Sequence, residues 1–198
     1  MIDLAILGLL KDRPMHGYQL SREVAEQLGG LWRVSYGSLY PTLRRLEGEG
    51  FVEATTGTTT TGGGRRKTVY KITDAGEAEF LRLLEETPGD GQAEDARFRV
   101  RVAFFRYLPP ETRIRLMERR RAGLETRLAG VNAAITAASA DDDRYTLALM
   151  EHGRAATASD ITWLNELIQA ERVRTGITAP RGERRRAHAT LKRKERTA

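Results

Sequence analysis

Cysteine is absent from the 198 residues, which removes disulfides, thiol nucleophiles and every zinc site built on thiolate. A disulfide-stapled secreted fold goes with them, and a reducing cytoplasm is the expected compartment. Histidine is scarce too. His16, His152 and His188 are widely scattered with no i, i+4 pair, so they nominate neither a metal site nor an acid–base cluster. Carboxylates fall mainly at helix ends or on polar faces, where solvation is their ordinary role. No enzymatic activity, metal or cofactor is expected. Long apolar runs are also missing: Ile2 to Leu10 contains Asp3, lacks a basic stretch before it and is too short to span a bilayer. Neither a signal peptide nor a membrane anchor is expected.

What is present is 40% hydrophobic and 30% charged residues with a formal net charge of +6. That composition fits a soluble globular protein of one generous domain or two small ones. The charge is unevenly placed. Residues 181–198 alone hold eight basic residues against Glu183 and Glu195, which accounts for the whole excess. A second basic region is masked in the total: residues 33–71 carry seven basic residues against Glu47, Glu49 and Glu53, a local +4.

Hydrophobic spacing orders the first half. Ile2, Ala5, Ile6, Leu9 and Leu10 mark one helix face, and Leu4 and Leu7 make that helix apolar nearly all round. Pro14 ends it. A second helix is predicted over 16–28 with Tyr18, Leu20, Val24 and Leu28 inward, stopped by Gly29-Gly30. Ser35 is the expected N-cap of a third helix over 36–49, whose core positions are Leu39, Leu43 and Leu46 and which contains Pro41. Strands are predicted at 51–55 and 67–73, joined by a Thr/Gly loop that closes in Gly62-Gly63-Gly64-Arg65-Arg66-Lys67. Asp74 and Glu77 suggest a capping box for a fourth helix reaching Glu86. Three helices, then a strand, a hairpin and a strand, are the order of a winged helix-turn-helix.

Thr87-Pro88-Gly89-Asp90-Gly91 reads as a boundary, and the chain beyond it is helical. A helix is predicted over 93–107. After Pro109-Pro110 comes a long helix with a heptad-like seam of Ile114, Met117, Leu124, Leu128, Val131 and Ile135. Asp141-Asp142-Asp143 suit the start of a last helix bearing Tyr145, Leu149, Ala156, Trp163, Leu167 and Ala170. The expected class is therefore mainly α with a small β-hairpin wing. Residues 1–88 form the winged module, 89–179 a helical domain and 180–198 a basic tail disordered by composition.

In a winged helix-turn-helix the third helix enters the DNA major groove with its N-terminal half against base edges. Here that half offers Ser35, Tyr36, Ser38, Tyr40, Pro41 and Thr42, followed by Arg44 and Arg45. Hydroxyls serve bases or phosphates, and arginine makes bidentate contacts to guanine or phosphate. Arg65, Arg66 and Lys67 at the base of a glycine-rich loop are suited to phosphate or minor-groove contact. The stretch Gly57-Thr58-Thr59-Thr60-Thr61-Gly62 imitates a phosphate-binding P-loop, yet residue 63 is glycine rather than lysine and the loop joins strand to strand.

These residues together resemble the PadR family of bacterial transcriptional regulators. The resemblance lies in Leu4–Leu20, including His16-Gly17-Tyr18, in Gly37–Glu53, and in Gly62–Phe80. It implies a homodimeric repressor on double-stranded DNA, with a C-terminal helical dimerisation domain and release by a small effector such as a phenolic acid. The long Thr/Gly wing and the basic extension depart from the family pattern. Dimerisation also makes physical sense, because two copies on a palindromic operator double the base contacts, with half-sites about 34 Å or a multiple apart. The first helix and the two C-terminal seams are expected to supply the dimer surface. Trp32 and Trp163 are candidate aromatic walls for a planar effector. The alternative is a winged-helix module whose basic loop meets an acidic protein partner.

Overall fold

The first helix, α1 (Ile2–Asp12), has every residue from Leu4 to Leu10 buried. Its apolar circumference is consumed by its own fold: α2 (Gly17–Gln27), α3 (Tyr36–Gly48) and α4 (Asp74–Glu85) all pack on it. It therefore leaves no apolar face for a dimer, contrary to the expectation above. The computed structural model describes residues 1–27, 36–57, 67–86, 92–138 and 143–177. Contacts divide the chain after Pro109, some twenty residues beyond the compositional boundary at Pro88.

Among the described residues three strands make one antiparallel sheet in the order β1-β3-β2, with β1 at Met15–His16, β2 at Val52–Gly57 and β3 at Lys67–Ile72. The hairpin strands register Val52 on Ile72 and Gly57 on Lys67. The two-residue β1, absent from the predicted elements, adds Met15 opposite Tyr70 and His16 opposite Val69. Nothing in two residues announces a strand; the pairing is tertiary. In α2, Leu20 and Val24 are buried as expected, but Tyr18 is 53% exposed. Leu28 and Gly29-Gly30 lie outside the described residues.

The turn into the hairpin is fixed by one glycine and one threonine. Gly50 takes a left-handed φ of 76°, and Phe51 follows. Thr73 then donates its hydroxyl to the Gly50 carbonyl (2.7 Å) and its N–H to that of Phe51 (3.1 Å). The same hydroxyl accepts from Gly76 N (3.1 Å), so Thr73 rather than Asp74 caps α4. The cap sits one residue earlier, which puts Gly76 at the third helical position and Glu77 outside the box geometry.

Beyond α4, α5 covers Gln92–Ala103 and a separate 3-10 turn covers Phe105–Tyr107. The single helix predicted for 93–107 is thus broken at Phe104, whose ring fills the space beside Gly8 of α1. Phe104 and Phe80 meet edge to face at 5.8 Å between centroids, and Tyr107 meets Phe80 at 5.4 Å. These rings place residues 92–109 with the N-terminal unit.

The second unit is an antiparallel helical hairpin of α6 (Pro110–Ala137) and α7 (Arg144–Thr175), the latter capped by Asp143 through Thr146 N (3.2 Å). Ile114, Met117 and Leu124 of the expected seam are buried; Leu128, Val131 and Ile135 are half-buried. On α7 the buried positions are Thr157, Leu164 and Ile168. The apolar line read from the sequence points elsewhere: Tyr145 is 80% and Leu149 70% exposed, and Trp163 39%. Among the described residues no helix is long and apolar enough to cross a membrane.

Candidate nucleic-acid interface

Leu39, Leu43 and Leu46 of α3 are fully buried. At 100° per residue they turn Gly37, Pro41 and Gly48 outward, with the functional side chains on two flanks. Tyr40 and Arg44 share one flank; Ser38, Thr42 and Arg45 share the other. The helix runs unbroken through Pro41, in its second turn.

The two flanks differ chemically. Arg45 is held by Asp3 of α1 and by both carboxylate oxygens of Glu49, at 2.9 and 2.8 Å from its Nη1. The hydrogen bond to Glu49 raises its already high pKa, against a cost from burial and with help from Asp3. Arg45 is thus a strut from α3 to α1. Arg44 is exposed, with no ion-pair partner among the described residues. Thr42 donates its hydroxyl to the Ser38 carbonyl at 2.7 Å, so its oxygen is left as an acceptor.

Tyr40 is 38% exposed, and Gly17 at the start of α2 lies against its ring. Tyr70 of β3 lies within electrostatic reach of Tyr40, Arg44 and Glu47. Burial, then Glu47 and Tyr40, raise its phenol pKa, and Arg44 acts the other way. The Tyr40–Arg44 flank therefore adjoins the wing strand. Sequence reasoning missed Tyr70 and Gly17 as neighbours of this flank, although Gly17 sits in the His16-Gly17-Tyr18 phrase. Ser35, Arg65, Arg66 and Trp32 lie outside the described residues, as do the side chains of Tyr36 and Lys67 and the tail from residue 178 onward. Among the described residues no three His, Cys, Asp or Glu side chains are grouped to hold a metal.

Residues 6–82, which contain this arrangement apart from Asp3, match the model of the transcriptional regulator PadR-like family. The Mycobacterium tuberculosis "Transcriptional regulator Rv3488" is 39% identical over 88 residues, covering 43% of this chain and 77% of that one. The chain belongs to the PadR-like family. It shares 37% identity over 80 residues with the Bacillus subtilis "Negative transcriptional regulator PadR", covering 40% of this chain and 43% of that regulator. The chain spans about half the length of these longer curated relatives. Among solved structures, B. subtilis PadR in complex with operator DNA is 22% identical, covering 85% of this chain and 98% of that one, with a TM-score of 0.42. Residues 96–172 match a second model, the virulence activator alpha C-terminal domain. This PadR-like chain thus joins a regulator-family N-terminal segment to a helical segment with a model of its own.

Proposed function

We propose that this PadR-like protein is a dimeric, sequence-specific DNA-binding repressor, acting in the cytoplasm on a palindromic operator. The observation that carries the reading is the outer face of α3. Ser38, Tyr40, Pro41 and Arg44 are all exposed on a helix whose inner face is fully buried, within the segment matched by the family model. An arginine without an ion-pair partner among the described residues, beside an exposed tyrosine, is chemistry suited to base edges and phosphates. In this reading Arg44 contacts DNA directly while Arg45 sets the tilt of α3 by holding Asp3 and Glu49. Arg65, Arg66 and Lys67 supply phosphate contacts from the wing.

The exposed line of Tyr145, Leu149 and Trp163 on α7 supports assembly of two copies, because large apolar side chains left in water favour burial on association. A small planar effector that releases the DNA is the finer part of the proposal. Trp32 and Trp163 are the candidate aromatic residues for it that the sequence offers. Such a ligand acts only by binding one dimer arrangement better than the other.

Fluorescence anisotropy with duplex from the DNA flanking its own gene tests the reading against random duplex of equal length. The expected result is a clear preference for the flanking duplex and a steep fall of affinity with salt. Equal affinity for both duplexes with little salt dependence overturns it and favours an acidic protein partner.

A further inference from the structure

We infer that Tyr18 is a further DNA-backbone contact, held in place by His16, which the wing strand locks; this rests on the operator-binding reading above. Tyr18 is the second residue of α2, and at 53% exposure it contributes little to the core. Its ring is nonetheless placed, stacked on His16 with 6.0 Å between centroids and 11° between planes. His16 in turn is fixed three ways. Its Cα is the register partner of Val69 in β3. Its backbone N–H donates to Gln19 Oε1 at 3.0 Å. Its Nδ1 lies 3.0 Å from the Thr68 carbonyl oxygen. A carbonyl only accepts, so Nδ1 carries the proton and donates it.

The placement of Tyr18 gives it a task. Its predecessor Gly17 abuts Tyr40 of α3, and its stacking partner His16 is tied to β3. Tyr18 thus follows a residue that abuts the recognition helix and stacks on one tied to the wing strand, the two elements assigned to DNA. Among the described residues its hydroxyl has no hydrogen-bond partner. A phenol held at that position donates to a phosphate oxygen, a contact that sets register and orientation and reads no sequence. His16 is a positioning residue: it acts through Tyr18.

The full chain with Tyr18→Phe tests this by anisotropy on the flanking and random duplexes. Affinity for both is expected to fall about ten- to a hundredfold, the size of one lost hydrogen bond to a charged group. Their ratio and the log–log salt slope stay unchanged, because a neutral hydroxyl releases no counterion. His16→Phe keeps a ring to stack but loses the donor, and is expected to reproduce the loss. The double variant is then no weaker than either single one. Wild-type affinity in Tyr18→Phe overturns the contact, and losses that multiply in the double variant overturn the positioning role. If the wild-type protein binds both duplexes equally, sequence recognition fails while the backbone contact is still measured on the random duplex. Should His16→Phe lower the melting temperature, Tyr18→Phe alone decides.

Discussion

Gly17 lies against the edge of the Tyr40 ring: a Cβ added to the glycine would stand 2.8 Å from Tyr40 Cε1 and 3.1 Å from its hydroxyl oxygen. The closeness ties the orientation of a recognition-helix side chain to the start of the preceding helix. Gly17→Ala is expected to push the ring aside rather than unfold the protein, because Tyr40 is 38% exposed and has room to swing. The stability cost should stay near the low end of overpacking, about 1 kcal/mol. Operator affinity should fall about tenfold. Thermal melts and anisotropy on the same sample separate the two effects. A loss of several kcal/mol in stability would show that the contact is structural instead.

Arg44 and Arg45 are neighbours with different surroundings, and their alanine variants should differ in kind. Arg44→Ala removes a cation with no ion pair among the described residues and is expected to reduce the preference for operator over random duplex by about 1–3 kcal/mol, with the melting temperature unchanged. Arg45→Ala breaks exposed pairs with Asp3 and Glu49. Its stability cost should be about 0.2–1 kcal/mol and should shrink in high salt. Competition binding together with denaturant titration at two salt concentrations checks both.

The inner face of α3 was legible because leucines at 39, 43 and 46 repeat at the helical period, and the family phrases around them are dense. The last helix shows where that method stops. Thr157, Leu164 and Ile168 form its buried line, but one member is a threonine, and the larger Tyr145 and Trp163 draw the eye to the solvent face. Period alone does not say which of two apolar lines faces the partner helix. Tyr18 departs from the pattern in a related way: its helical spacing predicts a core position, yet it is exposed and stacks on His16, part of a two-residue strand that only tertiary pairing creates. The Arg45 strut depends on Asp3, forty-two positions away, and no local pattern carries that.

Gly76 has the least room for a Cβ among the described glycines. A Cβ there would fall on the carbonyl oxygen of Phe51, with its carbonyl carbon 2.9 Å away and Ile72 Cγ1 2.8 Å away. The obstacle is backbone, already used by Thr73 N–H, so no rotamer change relieves it. Gly76→Ala is therefore expected to destabilise the N-terminal unit by about 3 kcal/mol, the upper range for overpacking, and to lower DNA affinity only through the unfolded fraction. Urea titration followed by circular dichroism gives the first number. Anisotropy under conditions that keep the variant folded, compared with wild type, checks the second.

Glu171 joins the two helices of the second unit, accepting from Arg113 Nη1 at 2.9 Å and from Arg174 Nη2 at 2.6 Å. Burial raises its pKa, but the hydrogen bonds from Arg174 and Arg113 outweigh this and hold the carboxyl below its usual range. A carboxyl whose native pKa is depressed stabilises the fold above its unfolded value, about 4.3, and loses that contribution as pH falls through the lower native value. The helical hairpin should accordingly be at full strength at neutral pH and weaken progressively below about pH 4. Glu171→Gln removes the charge while keeping the shape. It is expected to cost about 1.5–3 kcal/mol at pH 7, as for a hydrogen-bonded charged group, and to flatten the acid dependence of stability. Denaturant midpoints of both proteins, measured from pH 7 to 3, should converge as the wild-type carboxyl takes up its proton. Parallel curves across that range would mean that the arginines support α7 without help from this carboxylate.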